Sequence, residues 1–458
     1  MTVASTMEKR HFDRFCLLLL ALAFVLAGVK MGSRHQVAGF ATTAPAIAVK
    51  APSLSAVSGT ATSPGHLLHQ RSPDGRFDFD AAFVSSAPGK AVHAASLVEL
   101  RDGHLRAVWF SGSREGAGDV AIQTAVLDPT TQSWGPESTL FDRTRLQRGL
   151  WRYVKKLGNP VIARAADGSL SLWMVNVSLG GWAGSAISWS RSDDEGASWS
   201  SPRRLVTSPF LNISTLVKGG AFAFADGQTG LPVYHEFLTK FGEVLRLDAD
   251  GRVVDKQRIT GSRTDLQPVV LVRDALYAEA FLRSGQAESL ARSSTDDGGK
   301  TWANTTGTAW PNPDSAVAGA VTASGDRWLA LNPEPRDREI LALLKAPASG
   351  SIDAATQMLV ETSATPGQRL TVAAYEKLLG DELGRRGADA ATVQADVASA
   401  RRQLCGAEAC SQEFSYPYLL RGHDGALHLV YTWHRTRIKY VRLDPSQALA
   451  AAPAKGQP

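Results

Sequence analysis

Val98-Glu99-Leu100-Arg101-Asp102-Gly103-His104-Leu105, running on into Ala107-Val108-Trp109-Phe110, reads as an apolar strand, a tight Asp-Gly turn and a returning apolar strand. Asp-Gly supplies the positive φ angles that a short hairpin turn demands. The pattern recurs around Asp167-Gly168, between Ile162 and Val175, and around Asp424-Gly425, between Tyr418 and Thr432. Fainter copies turn at Asp226-Gly227, Asp274 and Asp326, so six hairpins follow one another along the chain. Their turns lie 48 to 65 residues apart, except for a final step of 98. One four-stranded unit per step describes a six-bladed β-propeller, with a long β-sandwich as the alternative. The surplus in the last step is visible as a change of period. From 351 to 413 the apolar positions fall at helical spacing, at Tyr375, Leu378, Leu379 and Leu383, then Val393, Val397, Ala400 and Leu404. The sequence therefore predicts a helical insertion before the last blade. Cys405 and Cys410 close it, and either form a small disulfide outside the cytoplasm or stay free.

Outside the propeller (67–445) the chain reads as an address. Residues 1–35 hold Phe15 to Val29, apolar or small throughout, behind Lys9, Arg10 and Arg14. This predicts an export segment, retained as an anchor in the inner membrane with the bulk on the periplasmic face, or cleaved near Ala41 to Ala46 to leave a secreted or periplasmic protein. Residues 36–66 have linker composition, and 446–458 form an Ala/Pro tail. The net charge is +5, but Lys9, Arg10, Arg14, Lys30, Arg34 and Lys50 against Glu8 and Asp13 place four of those charges before residue 51. The folded part is nearly neutral, which excludes the long-range field of a nucleic-acid binder. Three cysteines in 458 residues exclude a disulfide scaffold. Scans for a phosphate-cradling glycine loop, a zinc cluster or a nucleophile elbow return nothing, so no cofactor and no metal is expected.

A second motif alternates with the hairpins. Ser192-Asp193-Asp194-Glu195-Gly196-Ala197-Ser198-Trp199 and Thr295-Asp296-Asp297-Gly298-Gly299-Lys300-Thr301-Trp302 share the form S/T-x-D-x-G-x-S/T-W, and Leu127 to Trp134 is a degraded copy. The Asp caps local N–H groups, the Gly turns left-handed, and the Trp fills the gap between sheets. In an up-and-down blade these boxes share one face with the Asp-Gly turns. Starts of first strands, ends of second strands and starts of third strands share the other. That face collects His93, Asn159, Gln267 and Tyr416 from first strands, Arg114, Glu115, His235, Glu236, Arg283, Asn332 and Arg435 from second strands, and Asp119 and Arg338 from third strands. Such a crowd of ionisable groups near the axis predicts a polar pocket.

The boxes resemble the Asp boxes of the sialidase (neuraminidase) superfamily, also called BNR repeats. Segments such as His93 to Val120, Leu231 to Phe237 and Phe414 to Lys439 are similar to a variant bacterial and plant subgroup of it. The resemblance implies an exported exo-glycoside hydrolase acting on an acidic sugar at the end of a glycan. It implies Asp119 as acid/base, Tyr416 as nucleophile, and Arg283 and Arg338 as carboxylate ligands; His93 joins the catalytic set as a candidate base. Arg114, Glu115, Gln267, Asn159, His235, Glu236, Asn332 and Arg435 are the remaining substrate-binding candidates. Two positions depart from the family pattern: His93 stands in the first-strand segment where an arginine is expected, and Gln267 stands where a glutamate is expected. A uronate-directed lyase with His93 or His235 as base, and a glycan-binding propeller without turnover, are the alternatives.

Overall fold

The structure is a computed structural model that describes residues 14–26, 38–42, 63–208, 212–363 and 365–448. Six antiparallel sheets carry the repeats. The first blade runs Ala91–Glu99, Leu105–Gly112 and Ala121–Asp128, with Ser133–Trp134 and Ser138–Phe141 outermost. The second is Lys156–Arg164, Leu170–Val177, Ser185–Ser192 and Arg203–Arg204. The third runs from Leu216–Val217 through Thr229–His235 and Phe241–Leu247 to Val253–Arg258. Asp265–Val272, Ala278–Ser284, Ser289–Thr295 and Thr306–Pro311 make the fourth, and Ala318–Val321, Arg327–Leu331, Ile340–Ala346 and Thr356–Thr362 the fifth. The sixth begins Phe414–Arg421, Leu427–Trp433, Arg437–Leu443 and is completed from the other end of the chain by Asp78–Phe83 and Leu68–Arg71. Asp80 pairs with Arg442 and Phe83 with Lys439, so the ring closes by hydrogen bonding and Arg437–Leu443 is paired on both sides.

The turn chemistry is as the sequence predicts. Gly103, Gly168, Gly227 and Gly425 all adopt φ between 81° and 85°. In the boxes, the Asp194 carboxylate accepts from the Ser198 N–H at 2.8 Å, the Ser198 hydroxyl at 2.6 Å and the Ser192 hydroxyl at 2.8 Å. Asp297 repeats this with Thr301 and Thr295. Trp302 is buried with Val244 and Ile259 of blade three and Ala278 and Leu282 of blade four. Trp134 of the degraded copy packs edge-on against Tyr440 of blade six.

Two boundaries differ from the sequence reading. The helical insertion is shorter than 351–413, because Thr356–Thr362 is the outer strand of blade five; the helices are Val372–Arg385 and Ala390–Leu404. Thr356–Thr362 alternates only weakly between buried and exposed positions, which hid its period. The end of the insertion is tied by a disulfide between Cys405 and Cys410. Within the segment of linker composition, Phe40 is 1% exposed and packs on Phe222 and Phe224 at 5.6 Å. Its N–H donates to Ala275 O, and the Ala41 N–H to Ala223 O. A lone aromatic fills a hole between two blades that a low-complexity reading passes over. Residues 14–26 are helical, and no helix among the described residues is long and apolar enough to cross a membrane. The rest of the leader and linker, and the tail from 449, lie outside the described residues.

Candidate active site

Every blade places one non-glycine residue in the left-handed region at the beginning of its innermost strand: Ala94, Asn159, Ser214, Gln267, Asp314 and Tyr416, with φ between 29° and 59°. In blades one, two, four and six the strand register slips at that point, the mark of a β-bulge. Pro160, Pro268 and Pro417 follow three of these residues and remove an N–H that the bulge would leave unpaired. Left-handed conformations of this kind cost on the order of 1–3 kcal/mol each, and they cluster where function holds them. In those four blades the bulge re-aims one side chain.

Tyr416 is the hub. Its hydroxyl accepts from Arg283 Nη1 at 3.1 Å. The His93 ring lies against it with centroids 4.0 Å apart. Arg283 Cζ, Arg338 Cζ and Lys218 Nζ stand 6.0, 5.9 and 5.9 Å from its ring centre. Arg283 is held by Asp314 Oδ1 at 2.6 Å and Gln267 Oε1 at 3.3 Å. Gln267 and Asn159 both donate to the Tyr234 hydroxyl, at 3.3 and 3.2 Å. On the other side Glu413 receives Arg435 Nε at 2.8 Å, Arg338 Nη1 at 3.4 Å and the Ser415 hydroxyl at 2.5 Å.

The titratable groups divide sharply. Burial would raise the Glu413 carboxyl, but Arg435 and Arg338 outweigh it and hold it at about 2, so it is a fixed anion. Burial, with Arg435 nearby, pushes His93 well below the usual histidine range, so its imidazole is neutral. Its Nδ1 is buried and has no protein partner. Glu236 moves the other way: burial raises its carboxyl, and Asp314 and Glu115 oppose the lowering by Arg283. Lys218, fully buried and donating to Pro417 O at 3.0 Å, is pushed down to about 7 by burial. It also borders an axial cavity of about 600 Å³ that runs along the innermost strands to His423. That cavity shares with the Tyr416 cluster only Lys218.

Of the residues the sequence nominates, Tyr416, His93, Arg283, Arg338, Arg435, Gln267 and Asn159 converge in this way, with Glu236 beside Arg283. Glu115 reaches Arg435 Nη1 at 3.9 Å, and Arg114 is exposed in the same turn. Three residues are engaged elsewhere. Asp119 is exposed and bound by the Ser113 N–H and hydroxyl, both at 2.9 Å. Slight burial raises its carboxyl, but the Ser113 bonds win and keep it below the usual range, the wrong direction for a proton donor. His235 pairs with Glu243 at 2.8 Å and stacks on Phe241. Asn332 is fully buried and ties Ile340 O and Phe414 O together across blades five and six. Sequence reasoning missed Lys218 and Tyr234. A lysine inside the apolar run Leu216-Val217-Lys218-Gly219 is the signal for the first. For the second, strand alternation puts Tyr234 and Glu236 on one face and His235 on the other.

The sequence matches the BNR repeat-like domain over residues 103–429. No curated protein matches it. Among solved structures, the fold is similar to a Hadza microbial sialidase (TM-score 0.58, 12% identity, 78% of this chain and 66% of that one, just under two thirds). It is equally similar to a Dyadobacter fermentans protein of unknown function (TM-score 0.58, 11% identity, 80% and 97%). An intramolecular trans-sialidase from Ruminococcus gnavus, solved with oseltamivir carboxylate, follows (TM-score 0.54, 12% identity, 81% and 97%). With its repeat match spanning most of the chain and its six blades of sialidase type, the chain belongs to the BNR repeat-like family.

Proposed function

We propose that this chain is an exported glycosidase that removes a carboxylate-bearing sugar, a sialic acid or a relative, from the end of a glycan. The observation that carries the reading is the Arg283 bond to the Tyr416 hydroxyl within a ring of further cations. The Arg283 N–H fixes the Tyr416 oxygen as nucleophile, and the neutral His93 imidazole against its ring takes the phenolic proton as it attacks and returns it when the glycosyl–tyrosine bond is cleaved. Gln267, where the family pattern has a carboxylate, orients Arg283 instead. Tyr416 attacks the anomeric carbon and the glycosidic bond breaks. Glu236, whose carboxyl is raised by burial, protonates the leaving oxygen in place of Asp119. It then takes a proton from the water that cleaves the glycosyl–tyrosine bond. Arg283 and Arg338 hold the carboxylate.

One observation favours a second reading. The unpartnered, neutral Nδ1 of His93 beside Tyr416 suits removal of the proton next to a uronate carboxylate, with the carbon–hydrogen electrons forming the new double bond as the glycosidic bond breaks.

Incubation with a fluorogenic sialoside and with a uronate-containing oligosaccharide tests both. Release of the free acidic sugar is expected, reduced by more than about 10³-fold in Tyr416→Phe and by about 10²–10⁴-fold in Glu236→Gln. Ultraviolet absorbance of an unsaturated uronate selects elimination instead. Binding without any product overturns the enzyme reading.

A further inference from the structure

Between the last strand of blade one and the first strand of blade two, residues 143–156 read RTRLQRGLWRYVKK, six cations and no acid. The first half is a helix, Arg143–Leu150, capped by Asp142 and ended by Trp151 in the left-handed region at φ 50°. The Trp151 indole is 96% exposed, and every other tryptophan of the chain is buried or half-buried. Among the described residues none of the six cations is paired with a carboxylate. Arg145 turns back to Leu140 O at 2.6 Å, Arg152 Nε donates to the Ser178 hydroxyl at 2.8 Å, and Lys156 Nζ lies 5.6 Å from the Trp182 ring centre. Arg204 joins them from the end of blade two, where it donates to Asn212 O. Burial lowers its guanidinium, and the Arg152 charge adds to this. Elsewhere surface arginines meet acids, as Arg191 meets Asp167 and Asp193. In a propeller that is nearly neutral as a whole, this is a concentrated positive field.

Apolar side chains crowd the same rim. Ends of fourth strands, starts of first strands and the loops between second and third strands all open on the face that carries Tyr416. There blade two exposes Tyr153, Val206 and Leu179, the last at 77%, and the matching loop of blade three exposes Phe237 and Leu238, the latter at 86%. With Trp151 these are six of the eight exposed large hydrophobics among the described residues of the propeller; Val254 on an outer strand and Leu276 in a hairpin turn are the others. Scattered exposed apolar residues need no explanation, whereas a cluster of them on one rim marks an interaction surface. A sugar chain rewards flat rings and hydrogen-bond donors, and Leu179, Val206 and Leu238 offer neither. Aliphatic tips and an indole ringed by lysine and arginine match the border of a bilayer instead, with acyl chains for the tips and anionic headgroups for the cations.

We propose that this rim of blades two and three docks on an anionic phospholipid surface, with Trp151, Leu179 and Leu238 entering the interface and Arg148, Arg152 and Lys155 meeting the headgroup phosphates. The propeller lies on that surface and does not span it. The face bearing Tyr416 is thereby turned toward the headgroup layer. The docking does not depend on the glycosidase reading, and its test involves no turnover. The test is tryptophan fluorescence of the full chain mixed with vesicles whose acyl chains are brominated near the headgroup, made of phosphatidylcholine alone or with phosphatidylglycerol. Residues 1–50 contain no tryptophan, so insertion of the leader does not by itself quench. Quenching is expected with phosphatidylglycerol present, to fall at least about threefold in about 0.5 M salt, and to be largely lost in Trp151→Phe. Arg148→Gln combined with Lys155→Gln is expected to weaken the affinity read from a quenching titration at least about tenfold, with little change in Tm. Quenching that persists in Trp151→Phe, that is equal on phosphatidylcholine alone or that ignores salt overturns the proposal, as does wild-type affinity in the double variant. Absence of quenching on either vesicle also overturns it, and retention on an immobilised polyuronate that the double variant loses would then assign the patch to an acidic glycan.

Discussion

A lysine ammonium enclosed by protein loses its hydration shell, and a single carbonyl partner does not replace it. Lys218 is in that position, with Pro417 O as acceptor and the rings of Tyr416 and Tyr418 at 5.9 and 5.6 Å. Its folded value of about 7 lies well below the ~10.4 of an exposed lysine. Between those two values the unfolded chain binds a proton that the folded chain does not. Stability contributed by this group therefore increases as pH rises through that window, and is least below it, where the buried ammonium is charged. Urea unfolding between about pH 6 and 10 is expected to show this rise in the wild type and a flatter profile in Lys218→Met; parallel profiles would refute the assignment. Glu413 has the same slope in an acidic window. Held at about 2, it stabilises the fold throughout the neutral range and loses that contribution only in strong acid.

At the level of elements, the Asp boxes and hairpins were legible because everything they need is local. An Asp, two hydroxyls and a Gly within eight residues close the box, and the following Trp finds the neighbouring sheet wherever the blades stack. The segment around Phe40 shows the opposite case. Its composition is that of a linker, and only the gap among Phe222, Phe224 and the box glycine Gly299 gives the ring a place. Phe40→Ala is expected to lower stability by about 3 kcal/mol, measured by thermal or urea unfolding. A linker residue would change it by less than about 0.5 kcal/mol. Strand alternation also explains which way the site residues face. His235 was singled out for its chemistry, yet a period of two sends it to Glu243 and sends its neighbours Tyr234 and Glu236 toward Arg283 and Gln267. Asp119 lies in a turn, where strand direction gives no facing, and Ser113 claims it.

For the whole molecule, the decisive feature is the closure of blade six by Asp78–Phe83 against Arg437–Leu443. Without it the sheet keeps a row of unpaired groups and the ring has an open seam. A chain lacking 67–84 is expected to aggregate, as judged by size-exclusion chromatography. A circular permutant that begins near residue 86 and carries 78–84 on a short turn after Leu443 is expected to fold as a monomer, since Asp80 and Arg442 are already paired. Failure of the permutant would show that the direction of the strand supply matters beyond its pairing.

What the sequence by itself determined was the repeat, its turns, its boxes, the helical character of the insertion and the face on which Tyr416, Arg283 and Arg338 stand. All of these follow from short-range periodicity and strand direction. Only the tertiary structure decided which groups meet there. Tyr416 finds Arg283 across 133 residues, Lys218 finds Pro417 across 199, and the first strands find the last across the full ring. Contacts of that span carry no local pattern. They exist because six blades share one axis, and the side chains re-aimed by each bulge have nowhere to point but toward one another.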